Sequence, residues 1–342
     1  MGGKKNKQKV KVYPLVSVCT PTFNRRPFIP IMFECFQNQT YPKDRIEWII
    51  VDDGTDKIQD LIDKIEIPQI KYFPLKERMT LGAKRNFMHT KTSGSIIVYI
   101  DDDDYYPPER IEHAVDKLQK NRTALCAGSS ELYIYFKHIN EMYQCGPYGP
   151  NHATAGTFAF RKELLNITKY NENASLAEEK EFLHNYTIPF VQLDPLKTIL
   201  VFSHNHNTFD KKKMLENANP KFTKKSTKTV DSFITRDNEA KIKKFFLEDI
   251  DKKLENYKPG YPEMKPDVLK QIKELEESRK KAMEENQKEV GTDITVQING
   301  RPPEKLNLQN ALEIINLQNQ DLEQLKKRVA ELELIINSEQ HC

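Results

Sequence analysis

The stretch IIVYIDDDDYYPPER, residues 96–110, opens with an apolar run of the length and composition of a buried strand. It then delivers Asp101, Asp102, Asp103 and Asp104 to the place where that strand must end. Adjacent carboxylates in a partly dry site repel one another unless a cation or a bound proton relieves them, and hard divalent ions take oxygen ligands. A Mg2+ or Mn2+ site is one reading. The other is a solvated acidic loop or a helix start, since Asp favours that position and Pro107, Pro108 and Glu109 suit a first helical turn.

On either side of this stretch, short apolar runs alternate with helical segments, the pattern of a parallel α/β sheet. Strands are expected over residues 15–19, 46–51 and 70–73, and helices over 27–38, 56–65 and 82–92. Ligands of open α/β sheets bind outside the carboxyl ends of the strands. Three such ends here are polar: residues 21–26, 52–55 and 101–104. Further on, strands are expected over 124–128, 132–138, 157–161 and 198–202, and a charged helix over 174–186.

The 53 basic and 50 acidic residues leave a net charge of +3, so no global field directs the chain to nucleic acid or membrane. Residues 1–12 carry five lysines and read as a basic, disordered arm. The five cysteines, Cys19, Cys35, Cys126, Cys145 and Cys342, lack metal-type spacing and read as free thiols of a reducing, cytoplasmic setting. No apolar run approaches the roughly 18 residues of a membrane span.

Pro259, Pro262 and Pro266 mark a linker, followed by a polar helix over 267–289 and a short β-prone piece over 294–298. From Leu308 a heptad repeats, with Leu308, Ile315, Leu322, Val329 and Ile336 at one core position and Ala311, Gln318, Leu325 and Leu332 at the other. Parallel pairing would set Asp321 against Lys326 and Arg328 against Glu333 of a neighbour, which favours a homodimer. Leu312, Ile314 and Ile335 widen the apolar face and leave a trimer or tetramer as alternatives.

Four segments in order, VSVCTPTFNRR (16–26), EWIIVDDGT (47–55), LGAKRN (81–86) and IIVYIDDDDYYPPERI (96–111), resemble the family 2 glycosyltransferases with the GT-A fold. The resemblance covers residues 13–207. It implies a GT-A, Rossmann-like mixed sheet, mainly parallel and flanked by helices; the change to lysine- and glutamate-rich composition after about Phe209 sets the domain bounds at 13–235. A helical extension and linker at 236–303 and a coiled coil at 304–338 follow. It also implies inverting sugar transfer from a nucleotide sugar, UDP being the expected nucleotide, to an unknown glycan, protein or lipid acceptor.

The resemblance assigns Pro21, Thr22, Asn24, Arg25, Asp53 and Arg85 to the nucleotide sugar, with Asp53 accepting from the base. Asp101 and Asp103 match the family's D-x-D pair, with Asp103 on the metal, Asp101 on ribose or metal and Asp102 sharing the role; Asp104 is left to cap the next helix. Glu179 stands in the general-base position of a Glu-Asp pair, with Glu178 as the alternative. Glu for Asp departs from the family pattern by one methylene. Gly156 and Thr157 fall on the acceptor side, and His204 or His206 could complete the metal shell. Two other readings are a non-catalytic GT-A scaffold and a sugar nucleotidyltransferase. The second lacks a glycine-rich phosphate loop after residues 16–19.

Overall fold

The computed structural model describes residues 11–289 apart from 177, 208 and 217, together with 294–296, 304–306, 315–326, 328, 329 and 332. The chain divides into two compact units, Met1–Ile272 and Lys273–Cys342.

In the first unit, strands β1 (Val16–Thr22), β2 (Ile46–Asp52), β3 (Ile70–Pro74) and β4 (Ile96–Tyr99) form the parallel half of a seven-stranded sheet. The sheet continues through β5 (Cys126–Gly128), β8 (Ala159–Arg161) and β9 (Phe190–Gln192) in the order β3-β2-β1-β4-β8-β5-β9. Only β8 runs against its neighbours. A second sheet has the order β10-β6-β7-β11, built from β6 (Leu132–Phe136), β7 (Glu141–Cys145), β10 (Leu200–Ser203) and β11 (Thr223–Lys225). The mixed, mainly parallel sheet flanked by helices is thus the one expected.

Helix α1 (Ile29–Gln37) buries Ile29, Met32, Phe33 and Phe36 against the sheet, where Phe36 stacks on Trp48 at 4.1 Å. Trp48 Nε1 donates to Thr20 Oγ1 at 2.9 Å, so the largest core side chain keeps its polar atom satisfied. Helix α2 is one turn, Gln59–Ile62, where a helix over 56–65 was expected. Asp52 accepts from Ile58 N, and Asp56 is held by Arg26 and Tyr257, so tertiary bonds take the residues that would have begun it. Helix α3 (Leu81–Thr90) is capped by Thr80, whose hydroxyl accepts from Ala83 N.

Helix α4 (Arg110–Lys120) has Glu109 at its cap and no side-chain capping bond. Asp104 therefore does not cap it; its carboxylate accepts from Phe202 N at 3.1 Å and ties the acidic loop to β10. Of the helix expected over 174–186, only α5 (Glu179–Phe182) forms. Positive φ at His184, Asn185 and Tyr186 ends it, and Ala174 C=O accepts from Gly82 N.

A helix over Pro266–Glu289 and a short antiparallel pair, β12 (Ile294–Val296) with β13 (Glu304–Leu306), follow. Of the heptad positions, Ile315, Gln318, Leu322, Leu325, Val329 and Leu332 are described, and all are exposed on one chain. The remaining apolar heptad residues and the basic arm up to residue 10 lie outside the described residues. No helix among the described residues is long and apolar enough to cross a membrane. Cys19, Cys35, Cys126 and Cys145 are buried free thiols; Cys342 lies outside the described residues.

Candidate active site

The parallel register brings Thr22 opposite Asp52 and Cys19 opposite Tyr99, so the polar ends of β1, β2 and β4 open on one edge. There, Pro21, Thr22, Arg25, Arg85, Asp101, Asp102 and Asp103 line a cleft of about 240 Å3. Of the three polar strand ends, residues 21–23, Arg25 and residues 101–103 line it together with Arg85 of α3, whereas none of residues 52–55 does.

Arg25 is the internal counter-ion of the acidic loop. Its Nε lies 3.6 Å from Asp102 and its Nη2 3.3 Å from Asp103, while Nη1 donates to His206 C=O at 2.8 Å. Burial alone would raise Asp103, but Arg25 and His204 outweigh it and hold the carboxyl well below the ordinary range. Burial, with Asp103 alongside, pushes Asp102 up to about 7. Asp101 is also raised, chiefly by burial.

His204 leaves the end of β10 with Nε2 3.3 Å from Asp103 Oδ2, and burial lowers its pKa to about 4, so it is neutral at pH 7. That spacing suits two neighbouring ligands of one octahedral cation, whose bonds of about 2.1 Å set adjacent donors roughly 3 Å apart. Among the described residues no group of three or more His, Cys, Asp or Glu could hold a metal. Both ring nitrogens of His204 also have partners within the protein: Nδ1 accepts from His206 N at 3.2 Å and Nε2 lies 2.9 Å from Asn207 Nδ2. The His206 ring faces elsewhere, stacked on Tyr257 and edge-on to Tyr261.

Two expected nucleotide ligands have their side chains committed within the protein. Asn24, at φ 53°, accepts from Thr55 N and Asp56 N and donates to Pro259 C=O. Asp53 is buried, accepts from Met79 N at 2.7 Å and is ion-paired with Lys84. Lys84, which the sequence reading passed over, reaches the cleft wall itself.

Arg85 connects the cleft to the acidic pair. Its Nε donates to Glu178 at 2.9 Å, its guanidinium lies 4.4 Å from the Tyr99 ring centroid, and Nη1 has no partner among the described residues. Beside Glu178, burial and that neighbour's charge raise Glu179 to about 7. Neither Glu178 nor Glu179 is among the residues that line the cleft, so Arg85 is their link to it.

Gly156 abuts Asp101: a Cβ there would sit 2.6 Å from Asp101 Oδ2. Tyr106 joins them, its hydroxyl accepting from Asp101 N and donating to Gly156 C=O. Thr157 is buried structure instead, bonded to Thr154 and Ser129 and, through its carbonyl, to Arg110.

Arg78, Lys265 and Val268 also line the cleft, and no local pattern in the sequence marked them. Arg78 pairs with Asp267, which also accepts from Ser175 Oγ at 2.7 Å. Burial and Arg25 lower Lys265 to about 7.

Residues 17–175 match the family model "Glycosyl transferase family 2". The chain is 29% identical over 121 residues to an uncharacterized glycosyltransferase of Haemophilus influenzae, covering 34% of this chain and 47% of that protein. It is 29% identical over 114 residues to a putative teichuronic acid biosynthesis glycosyltransferase of Bacillus subtilis, covering 32% and 44%. The solved structure of Staphylococcus aureus TarS 1–349 with UDP-GlcNAc aligns at TM-score 0.43 and 20% identity, over 56% of this chain and 59% of that one. The matches span less than half the length of the two curated relatives. The similarity to family 2 glycosyltransferases thus lies in residues 17–175.

Proposed function

We propose that this protein is an inverting, metal-dependent glycosyltransferase that moves a sugar from a nucleotide sugar, a UDP-sugar by expectation, to an acceptor hydroxyl. Its main support is the convergence of Asp101–Asp103, Arg25 and Arg85 on one cleft, with Arg85 linked through Glu178 to the neighbouring Glu179. Arg25, Lys84 and Arg85 offer charged donors to a diphosphate. Asp53 is the expected acceptor of a base N–H, although its buried carboxylate is held by Lys84 and the Met79 amide.

Asp103 and His204 would hold Mg2+ or Mn2+, with Asp101 beside them; when bound, that cation offsets negative charge on the departing diphosphate. Glu179 takes the acceptor proton as the hydroxyl attacks the anomeric carbon from the face opposite the leaving group. Gly156, on the expected acceptor side, lets the Asp101 carboxylate lie against the backbone where a Cβ would clash. The experiment is release of nucleoside diphosphate from a panel of nucleotide sugars with Mn2+. Release from a uridine donor supports the reading, and release only from another nucleotide overturns the donor assignment.

A non-catalytic nucleotide-sugar or glycan scaffold is favoured by one observation: Arg25 gives Asp102 and Asp103 a shared counter-ion from within the protein. Folded protein that binds donor but never turns it over would establish that reading.

The exposed heptad side chains support self-association through the C-terminal helix, as a dimer. A chain truncated before Leu308 is expected to fall to monomeric mass in light scattering; unchanged oligomeric mass would contradict the assignment. The four buried thiols support a reducing, cytoplasmic location.

A further inference from the structure

We propose that residues 257–271 form a strap that completes the donor site, and that Lys265 on this strap binds the diphosphate of the nucleotide sugar. The inference rests on the donor reading above and adds to it a binding residue from outside the family-matched segment, which ends at 175.

The strap is anchored on both sides of the cleft. At its start, Tyr257 OH donates to Asp56 at 2.8 Å and Pro259 C=O accepts from Asn24 Nδ2 at 2.8 Å. At its end, Asp267 pairs with Arg78 and accepts from Ser175 Oγ, while Gln271 accepts from Ser175 N and donates to Asn173 C=O. Gly260 marks where the chain comes closest, since a Cβ there would lie 2.5 Å from His206 Nδ1 and 3.0 Å from Asn24 O. Between these anchors Lys265 and Val268 form part of the cleft wall with Asp101, Asp102 and Asp103.

Around the Phe23 ring, itself on that wall, stand three cations: Arg78 at 5.0 Å, Lys265 at 5.6 Å and Lys84 at 5.8 Å from the centroid. Arg78 and Lys84 are ion-paired with Asp267 and Asp53. Asp102 and Asp103, which face Lys265, are shared with Arg25. A diphosphate entering the cleft meets Lys265 together with Arg25 and Lys84 on its wall, and a lysine on a flexible stem can follow its oxygens.

Calorimetry on the full chain tests this, with UDP, inorganic pyrophosphate and uridine titrated at fixed Mn2+ into wild type, Lys265→Met and Lys265→Arg. The expected result is about a tenfold loss of UDP and pyrophosphate affinity in Lys265→Met, unchanged uridine affinity, and recovery of most of the loss in Lys265→Arg. Equal weakening of uridine would assign Lys265 a structural role only and overturn the inference. Wild-type affinities in Lys265→Met would overturn it and leave the donor reading standing. A wild type that binds neither UDP nor pyrophosphate would overturn both.

Discussion

Glu179→Gln lowers donor turnover by about 10²- to 10⁴-fold, the span of a positioned general base, and leaves donor KM unchanged. The amide keeps the shape of the side chain but cannot accept the acceptor proton. The wild-type rate carries its own signature. Burial and the charge of Glu178 raise Glu179 to about 7, so the deprotonated, active form accumulates only as pH rises through about 7. The rate should therefore climb from pH 6 to pH 8, and this limb should vanish in Glu179→Gln.

Stability moves the other way. A folded-state value above that of an unfolded glutamate means that the contribution of Glu179 is fully present below the unfolded value and lost as pH rises through about 7. Thermal melts of wild type against Glu179→Gln across pH 5 to 8 should show wild type losing ground as pH rises. A flat difference, with the rate limb retained in the variant, would move the base to Glu178.

Asp103→Ala is expected to cut kcat/KM for the donor by about 10²- to 10³-fold or more, because it removes the carboxylate shared by Arg25 and His204. Breaking a largely buried ion pair can also cost stability. Asp103→Asn separates the two effects: it keeps volume and hydrogen bonding, so the fold should persist while the Mn2+ concentration for half-maximal activity rises. Wild-type turnover and metal requirement in folded Asp103→Asn would remove Asp103 from the metal site.

The parallel half of the sheet was legible because each strand is an apolar run ended by local turn chemistry, and in a parallel sheet such ends share one edge. Thus the segments at Thr22, Asp52 and Asp101 could be placed together from the sequence. The helices over 56–65 and 174–186 misled because their helical spacing competes with long-range bonds: Asp56 goes to Arg26 and Tyr257, and Ala174 C=O to Gly82 N. Strand β7 passed unnoticed because its five residues, EMYQC, have too little apolar alternation to stand out. Lys84 sits inside a segment that was read, yet its role follows from Asp53 across the sheet edge. Arg78 and Lys265 could not have been found locally, since Lys265 reaches the cleft from within the proline-rich stretch that reads as linker.

The central claim, that this cleft binds a nucleotide sugar with a divalent cation and cleaves it, is tested most directly by following nucleoside diphosphate release from UDP-sugars with Mn2+. Release should stop on chelation and in Asp103→Ala. No release from UDP-, GDP-, CDP- or dTDP-sugars by a demonstrably folded wild-type protein, with or without Mn2+, would contradict it.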